Sequence, residues 1–189
     1  MRIQRQYKFF LISFLLLLCS NAFAVDKQYD VVISRSSQVL KIMNGDSIIK
    51  QFHIAYGKGG KGAKRILGDK KTPLGVYKII NFKGNSRFHY FMQIDYPNLL
   101  DAWYGYKNKV ISADEFKFIS TAIKNNNTPP QNTKLGGFIG IHGIGVTNEK
   151  KLTIHNAINW TQGCIAITNE EINLLRKYVD IGTRVIIYE

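Results

Sequence analysis

The chain has 189 residues, with 26 Lys+Arg against 13 Asp+Glu and a formal net charge of +13. That length holds one domain with its own core rather than several. Two cysteines, Cys19 and Cys164, are too few for a disulfide framework.

Residues 1–24 have the three parts of a secretory signal. Met1 to Lys8 carries three positive charges and no acid, Phe9 to Leu18 is apolar except for Ser13, and Ala22-Phe23-Ala24 is a small-x-small cleavage site. Cleavage near Ala24/Val25 is expected, leaving 25–189 as an exported, periplasmic or cell-wall-associated domain. The competing reading is an uncleaved anchor, although the apolar run is short for a membrane span of about 20 residues. Cys19 falls in the discarded signal, because Leu18 precedes it where a lipoprotein signal usually has a small residue. The remainder keeps a charge of +10. Such a balance favours polyanions, and after export these are cell-wall or membrane-surface polymers rather than nucleic acid. The lysines are scattered, so a plain solvated surface accounts for them equally well.

The rest of the chain is mainly strand-like. Tyr29 to Ser34 is a β-branched run. Gln38 to Met43 and Ser47 to Ala55 flank Asn44-Gly45, which predicts a hairpin with a type I′ turn. Gly57 to Gly68 is a Gly/Lys-rich loop. Strands are expected at Leu74–Ile80, Phe88–Asp95, Gly137–Ile141 (ending in His142-Gly143) and Arg184–Tyr188. Two helices are announced by capping boxes. Ser112-Ala-Asp-Glu115 precedes Phe116, Ile119 and Ile123, and Thr168-Asn-Glu-Glu171 precedes Ile172, Leu175 and Val179. Asn125 to Lys134 is a polar loop. The fold class expected is mainly β with peripheral helices, a sandwich or distorted barrel in one domain.

Gly57-Lys-Gly-Gly-Lys-Gly62 matches G-x-G-x-x-G, but no helix opens after it, and Ala63 stands where a phosphate loop needs lysine. No nucleotide is expected. His53, His89, His142 and His155 show no metal-ligand spacing, so neither metal nor cofactor is expected. The pair His142 and Cys164 carries more chemistry. A lone thiol in an oxidising compartment calls for a reason, and a nucleophile is the best one. An imidazole raises its reactivity and can protonate a leaving amine. That imidazole needs a partner for its other nitrogen; with no obvious Asp or Asn for the role, the backbone carbonyl of Gly143 or a neighbour is a candidate. Gly163 lets backbone amides approach an oxyanion. The plainer alternatives are a buried small hydrophobe for Cys164 and a satisfied strand-end residue for His142.

His142, eighteen intervening residues and Thr161-Gln-Gly-Cys164 follow the order of a known signature. Lys71-Thr-Pro-Leu-Gly-Val-Tyr77, Asn85-Ser-Arg-Phe-His89, Ile94-Asp-Tyr-Pro-Asn98 and Trp160 to Asn169 extend the agreement over roughly residues 29–189. On these stretches the chain resembles the L,D-transpeptidase (YkuD-domain) family of bacterial cell-wall enzymes. It departs at Gln162, where that family often has His, and at Ala166, where many members have Arg or Asn.

The resemblance implies a YkuD-like fold and two-step acyl transfer on peptidoglycan stem peptides. Cys164 would attack the bond before the terminal D-Ala, and an amine would take the acyl group, forming a 3→3 cross-link or joining another acceptor. Water as acceptor would make it an L,D-carboxypeptidase; a non-catalytic cell-wall-binding module is the other alternative. Carbapenem-type β-lactams are the implied inhibitors. Thr161, Gln162, His155 and His89 are the implied substrate contacts. Lys58, Lys61, Lys64 and Arg65 form a basic rim suited to a substrate carboxylate. The Gly57–Gly68 loop and the Val110–Lys134 insertion are the candidate covers for the site.

Overall fold

Alternation of apolar and polar residues starts the fold. In β1 (Asp30–Ser34) and β2 (Val39–Asn44), Val31, Ile33, Leu40 and Ile42 turn into the core while their neighbours stay nearer the surface. The computed structural model describes residues 28–189; the signal expected at 1–24 lies outside the described residues. β3 (Ser47–His53) returns antiparallel to β2, with Asn44 opposite Ser47. The loop residues are therefore Gly45 and Asp46. Only Gly45 has a positive φ, +57°. This corrects the type I′ expectation, which needs two positive φ angles; glycine at the first central position is the type II′ arrangement.

β4 (Gly75–Ser86) is longer than expected. Its polar second half, Asn81 to Ser86, pairs with β5 (His89–Ile94) through two register shifts. Three short elements complete the sheet: β6 (Gly140–His142), β7 (Ile165–Ala166) and the terminal β8 (Arg184–Tyr188). The order is β3-β2-β1-β8-β4-β5-β6-β7, with β1/β8 and β6/β7 parallel. Its two ends meet. Ala55, just past β3, exchanges backbone hydrogen bonds with Ala166 of β7 at 3.0 and 2.7 Å. The sheet thus curls into a distorted barrel around the main core of Ile, Val, Leu and Tyr77 side chains.

Among the described residues, four helices lie outside. Ser112 and Thr168 cap α2 (Ala113–Lys124) and α4 (Asn169–Leu175), each in a reciprocal box with the glutamate three residues on. The sequence pattern misses α1 (Leu99–Lys107) and α3 (Glu149–Ala157). α1 is built inside out. It buries Asp101, Ala102 and Gly105, and exposes Leu99, Leu100 and Trp103. Its small inner face lets it approach Leu135 and Ile111, which form a second, smaller core with Ala102 and Ile119. Asp101 accepts from the Tyr77 hydroxyl at 2.8 Å, which ties α1 to β4.

Candidate active site

Parallel pairing of β6 with β7 sets His142 opposite Ala166, so Cys164 enters the same sheet end two residues earlier. Both side chains line one cavity of about 1050 Å³. His142 is 1% exposed. Its Nδ1 lies 2.7 Å from the Gly143 carbonyl oxygen. An acceptor there requires the proton on Nδ1, which leaves Nε2 as the basic nitrogen. Phe88 stacks on the imidazole at 4.2 Å and Phe91 at 6.3 Å, and Trp160 meets it edge-on at 5.9 Å. This aromatic sleeve excludes water, and the resulting desolvation drives the His142 pKa down to about 4.

The loop behind His142 is held by Asn169 at the start of α4. Its amide side chain accepts from Gly145 N at 3.1 Å and donates to Gly145 O at 2.7 Å. Gly143 must be glycine by proximity, since a Cβ there would sit 2.8 Å from the backbone carbonyl oxygen of Phe88. Cys164 ends a tight turn locked by Thr161. The Thr161 hydroxyl donates to Cys164 O at 2.6 Å and accepts from Gly163 N at 3.2 Å. Gly163 has φ +133°, and a Cβ there would press on the Lys71 carbonyl at 2.9 Å. The free thiol of Cys164 is directed at Phe138 O, 3.7 Å away. Burial raises its pKa to about 11. Both shifts favour a neutral thiol and a neutral imidazole near pH 7.

A family profile described as the L,D-transpeptidase catalytic domain matches residues 28–187. The chain belongs to the L,D-transpeptidase family. No curated protein matches it. Among solved structures, this L,D-transpeptidase domain is similar to the helical cell shape determining protein Pgp2 from Campylobacter jejuni, at 22% identity and a TM-score of 0.56 over 86% of this chain and 48% of that one. It is also similar to Bd1075 of Bdellovibrio bacteriovorus, at 20% identity and 0.51 over 86% and 48%. The L,D-transpeptidase from Stackebrandtia nassauensis gives 14% identity and 0.50 over 87% and 57%. The chain therefore spans about half the length of the first two, and at these identities the likeness shows the fold.

Of the residues expected to meet substrate in this L,D-transpeptidase domain, Gln162 and Thr161 line the cavity, with the Thr161 hydroxyl committed to its turn. His89 and His155 do not line it. His89 leans on α4 instead, with Nε2 3.0 Å from Asn173 Oδ1. His155 is turned inward by the phase of α3; its Nδ1 accepts from Trp160 Nε1 at 3.4 Å and its ring meets His53 edge-on at 5.9 Å. The Gly163 N–H is likewise occupied by Thr161, so it is not free for an oxyanion.

The expected basic rim also changes. Lys58, Lys61 and Arg65 are absent from the lining; Arg65 lies over the Tyr104 ring at 4.2 Å. Lys64 lines the cavity but is buried and paired with Asp69 at 2.9 Å. The Gly57–Gly68 loop contributes Lys64, Leu67 and Gly68, and the Val110–Lys134 insertion contributes nothing. The opposite wall, missed from sequence, is the β4–β5 hairpin, with Lys83, Asn85, Arg87 and Phe88. The Gly57–Gly68 loop is itself pinned by the fully buried Arg35. That guanidinium donates to the carbonyls of Gly60, Gly62 and Thr72 at 2.7–2.9 Å.

Proposed function

We propose that this domain is an exported cysteine acyltransferase acting on peptidoglycan stem peptides. It releases D-Ala and passes the acyl group to an amine, forming 3→3 cross-links or joining another acceptor. The observation that carries the reading is the Nδ1–Gly143 hydrogen bond, which leaves His142 Nε2 as the nitrogen without a proton in a cavity that the Cys164 thiol also lines.

Both groups start neutral. The thiol proton passes to His142 Nε2 as sulfur bonds to the carbonyl carbon. The carbonyl oxygen becomes an oxyanion, and a backbone amide is its natural donor. Gly163 N–H is taken by Thr161, whereas the Cys164 N–H has no acceptor among the described residues. The oxyanion role is therefore assigned to Cys164's own amide rather than to Gly163. The C–N bond then breaks, and the D-Ala nitrogen takes the proton from Nε2. In the second half an incoming amine attacks the thioester, gives its proton to Nε2, and expels sulfur, which recovers that proton. The L,D-transpeptidase family match over residues 28–187 supports a peptidoglycan substrate.

The test is intact-mass analysis of residues 25–189 with a carbapenem, together with D-Ala release from a tetrapeptide stem. One adduct is expected on the wild-type chain and none on Cys164→Ala. His142→Ala should lower D-Ala release by about 10²–10⁴ while the fold persists. Wild-type protein that neither takes the adduct nor releases D-Ala would reject the reading.

A further inference from the structure

Among the described residues lining the cavity there are three cations, Lys64, Lys83 and Arg87, and no carboxylate. A wall of that sign is suited to an anionic ligand. The three are not equivalent. Lys64 is neutralised by Asp69 and also donates to Ile66 O at 2.9 Å. Lys83 and Arg87 are exposed, and neither has a carboxylate partner among the described residues. Of the two, Arg87 contacts the aromatic sleeve. Its guanidinium lies 4.6 Å from the centroid of Phe88, and Phe88 stacks on His142 at 4.2 Å. The hairpin turn thus attaches one unpaired cation to the aromatic sleeve of the proposed base.

The chemistry needs a cation at that place. The leaving nitrogen collects its proton from His142 Nε2. In an amino acid the carboxyl carbon is two bonds from that nitrogen, about 2.5 Å away. The carboxylate of the leaving residue must therefore lie within a few ångström of the imidazole edge. Two residues after Cys164 this chain has Ala166. Ala166 is fully buried, with its backbone bonded to Ala55. Nothing at that position can reach a ligand, so the charge has to come from another wall.

We infer that Arg87 binds the terminal carboxylate of the donor stem and so selects stems that end one residue beyond the cleaved bond. This rests on the acyl-transfer reading and names the residue that sets its substrate class. Arg87 is a specificity residue; the proton and the acyl group remain with His142 and Cys164. A guanidinium presents two parallel N–H groups to a carboxylate, which an ammonium cannot do.

The test uses Cys164→Ala, which binds without turning over, and a tetrapeptide stem in two forms, with a free C-terminal carboxylate or a C-terminal amide. Calorimetry should show the acid bound about tenfold to a hundredfold tighter than the amide, the range of one charge-assisted hydrogen bond. Adding Arg87→Met keeps the apolar stem over Phe88, removes this preference and leaves the amide unchanged. Arg87→Lys should restore part of it. Equal binding of acid and amide to Cys164→Ala, or an equal loss of both in Arg87→Met, overturns the inference. D-Ala release by the Cys164-containing chain is measured alongside. Release without acid/amide discrimination defeats Arg87 alone; discrimination without release defeats the acyl-transfer reading and leaves Arg87 as a carboxylate site.

Discussion

The buried His155 makes a quantitative prediction about acid stability. It is 1% exposed, its Nε2 has no partner, and desolvation lowers its pKa from 6.5 to about 4. The unfolded chain therefore binds more protons than the folded one between those values, and stability falls as pH drops below 6.5. Integrating the two titrations gives a loss of about 2 kcal/mol at pH 5 from this residue. For a domain of this size that lowers Tm by about 4–8 °C. His155→Phe keeps a ring in the same space and cannot titrate. Thermal unfolding by circular dichroism at pH 7.5 and pH 5 should show the variant gaining about 4–8 °C relative to wild type between the two pH values. His142, lowered by the same mechanism, keeps its own acid loss in both proteins. Parallel Tm curves would mean that His155 is hydrated or already charged in the folded state, and would refute the reasoning.

Other perturbations give distinct readouts. Arg35→Met leaves the Gly60, Gly62 and Thr72 carbonyls without their donor, and should cost at least about 2–3 kcal/mol in urea unfolding; an unchanged midpoint would show that the loop stands without it. Thr161→Val removes both hydrogen bonds of the turn before Cys164, so D-Ala release should fall about tenfold to a hundredfold, with Tm lowered by only a few degrees. Full activity in that variant would remove Thr161 from the positioning role. Iodoacetamide labelling of Cys164 should quicken about tenfold per pH unit from pH 7 to 10, as expected for a thiol near 11. A plateau already at pH 8 would contradict the raised pKa.

Much of the sheet is legible in the sequence because β1, β2 and β8 obey a period of two, with Val, Ile or Leu at the inward positions. The capping boxes at Ser112 and Thr168 are equally plain, since a hydroxyl and a glutamate three residues apart have few other uses. α1 escapes because its inward face is Asp101, Ala102 and Gly105, the reverse of an apolar stripe, although Asn98 and Asp101 do form a capping box. α3 escapes because Leu152, Ile154 and the lysines around them follow no helical stripe. β7 has two residues and carries no periodic signal at all.

At the site, Cys164 and His142 are found from chemical scarcity and motif order. Direction is what the sequence withholds. His89 and His155 have the right side chains for substrate binding, but hairpin geometry and helix phase aim them elsewhere. The polar end of β4 and the Arg87 turn look like surface in one dimension, and become a cavity wall only once β4 and β5 are paired.

The desolvation of the Cys164 sulfur has a consequence for its survival. Peroxides and disulfides attack the ionised form of cysteine far faster than the protonated form. At pH 7 a group titrating near 11 is ionised to roughly one part in 10⁴. Bystander oxidants and electrophiles therefore find the sulfur dormant. Under the proposed acyl transfer, a ligand that fills the cavity and receives the displaced proton through the neighbouring ring would meet it awake. Chemical inertness at rest and reactivity on demand come from the same burial.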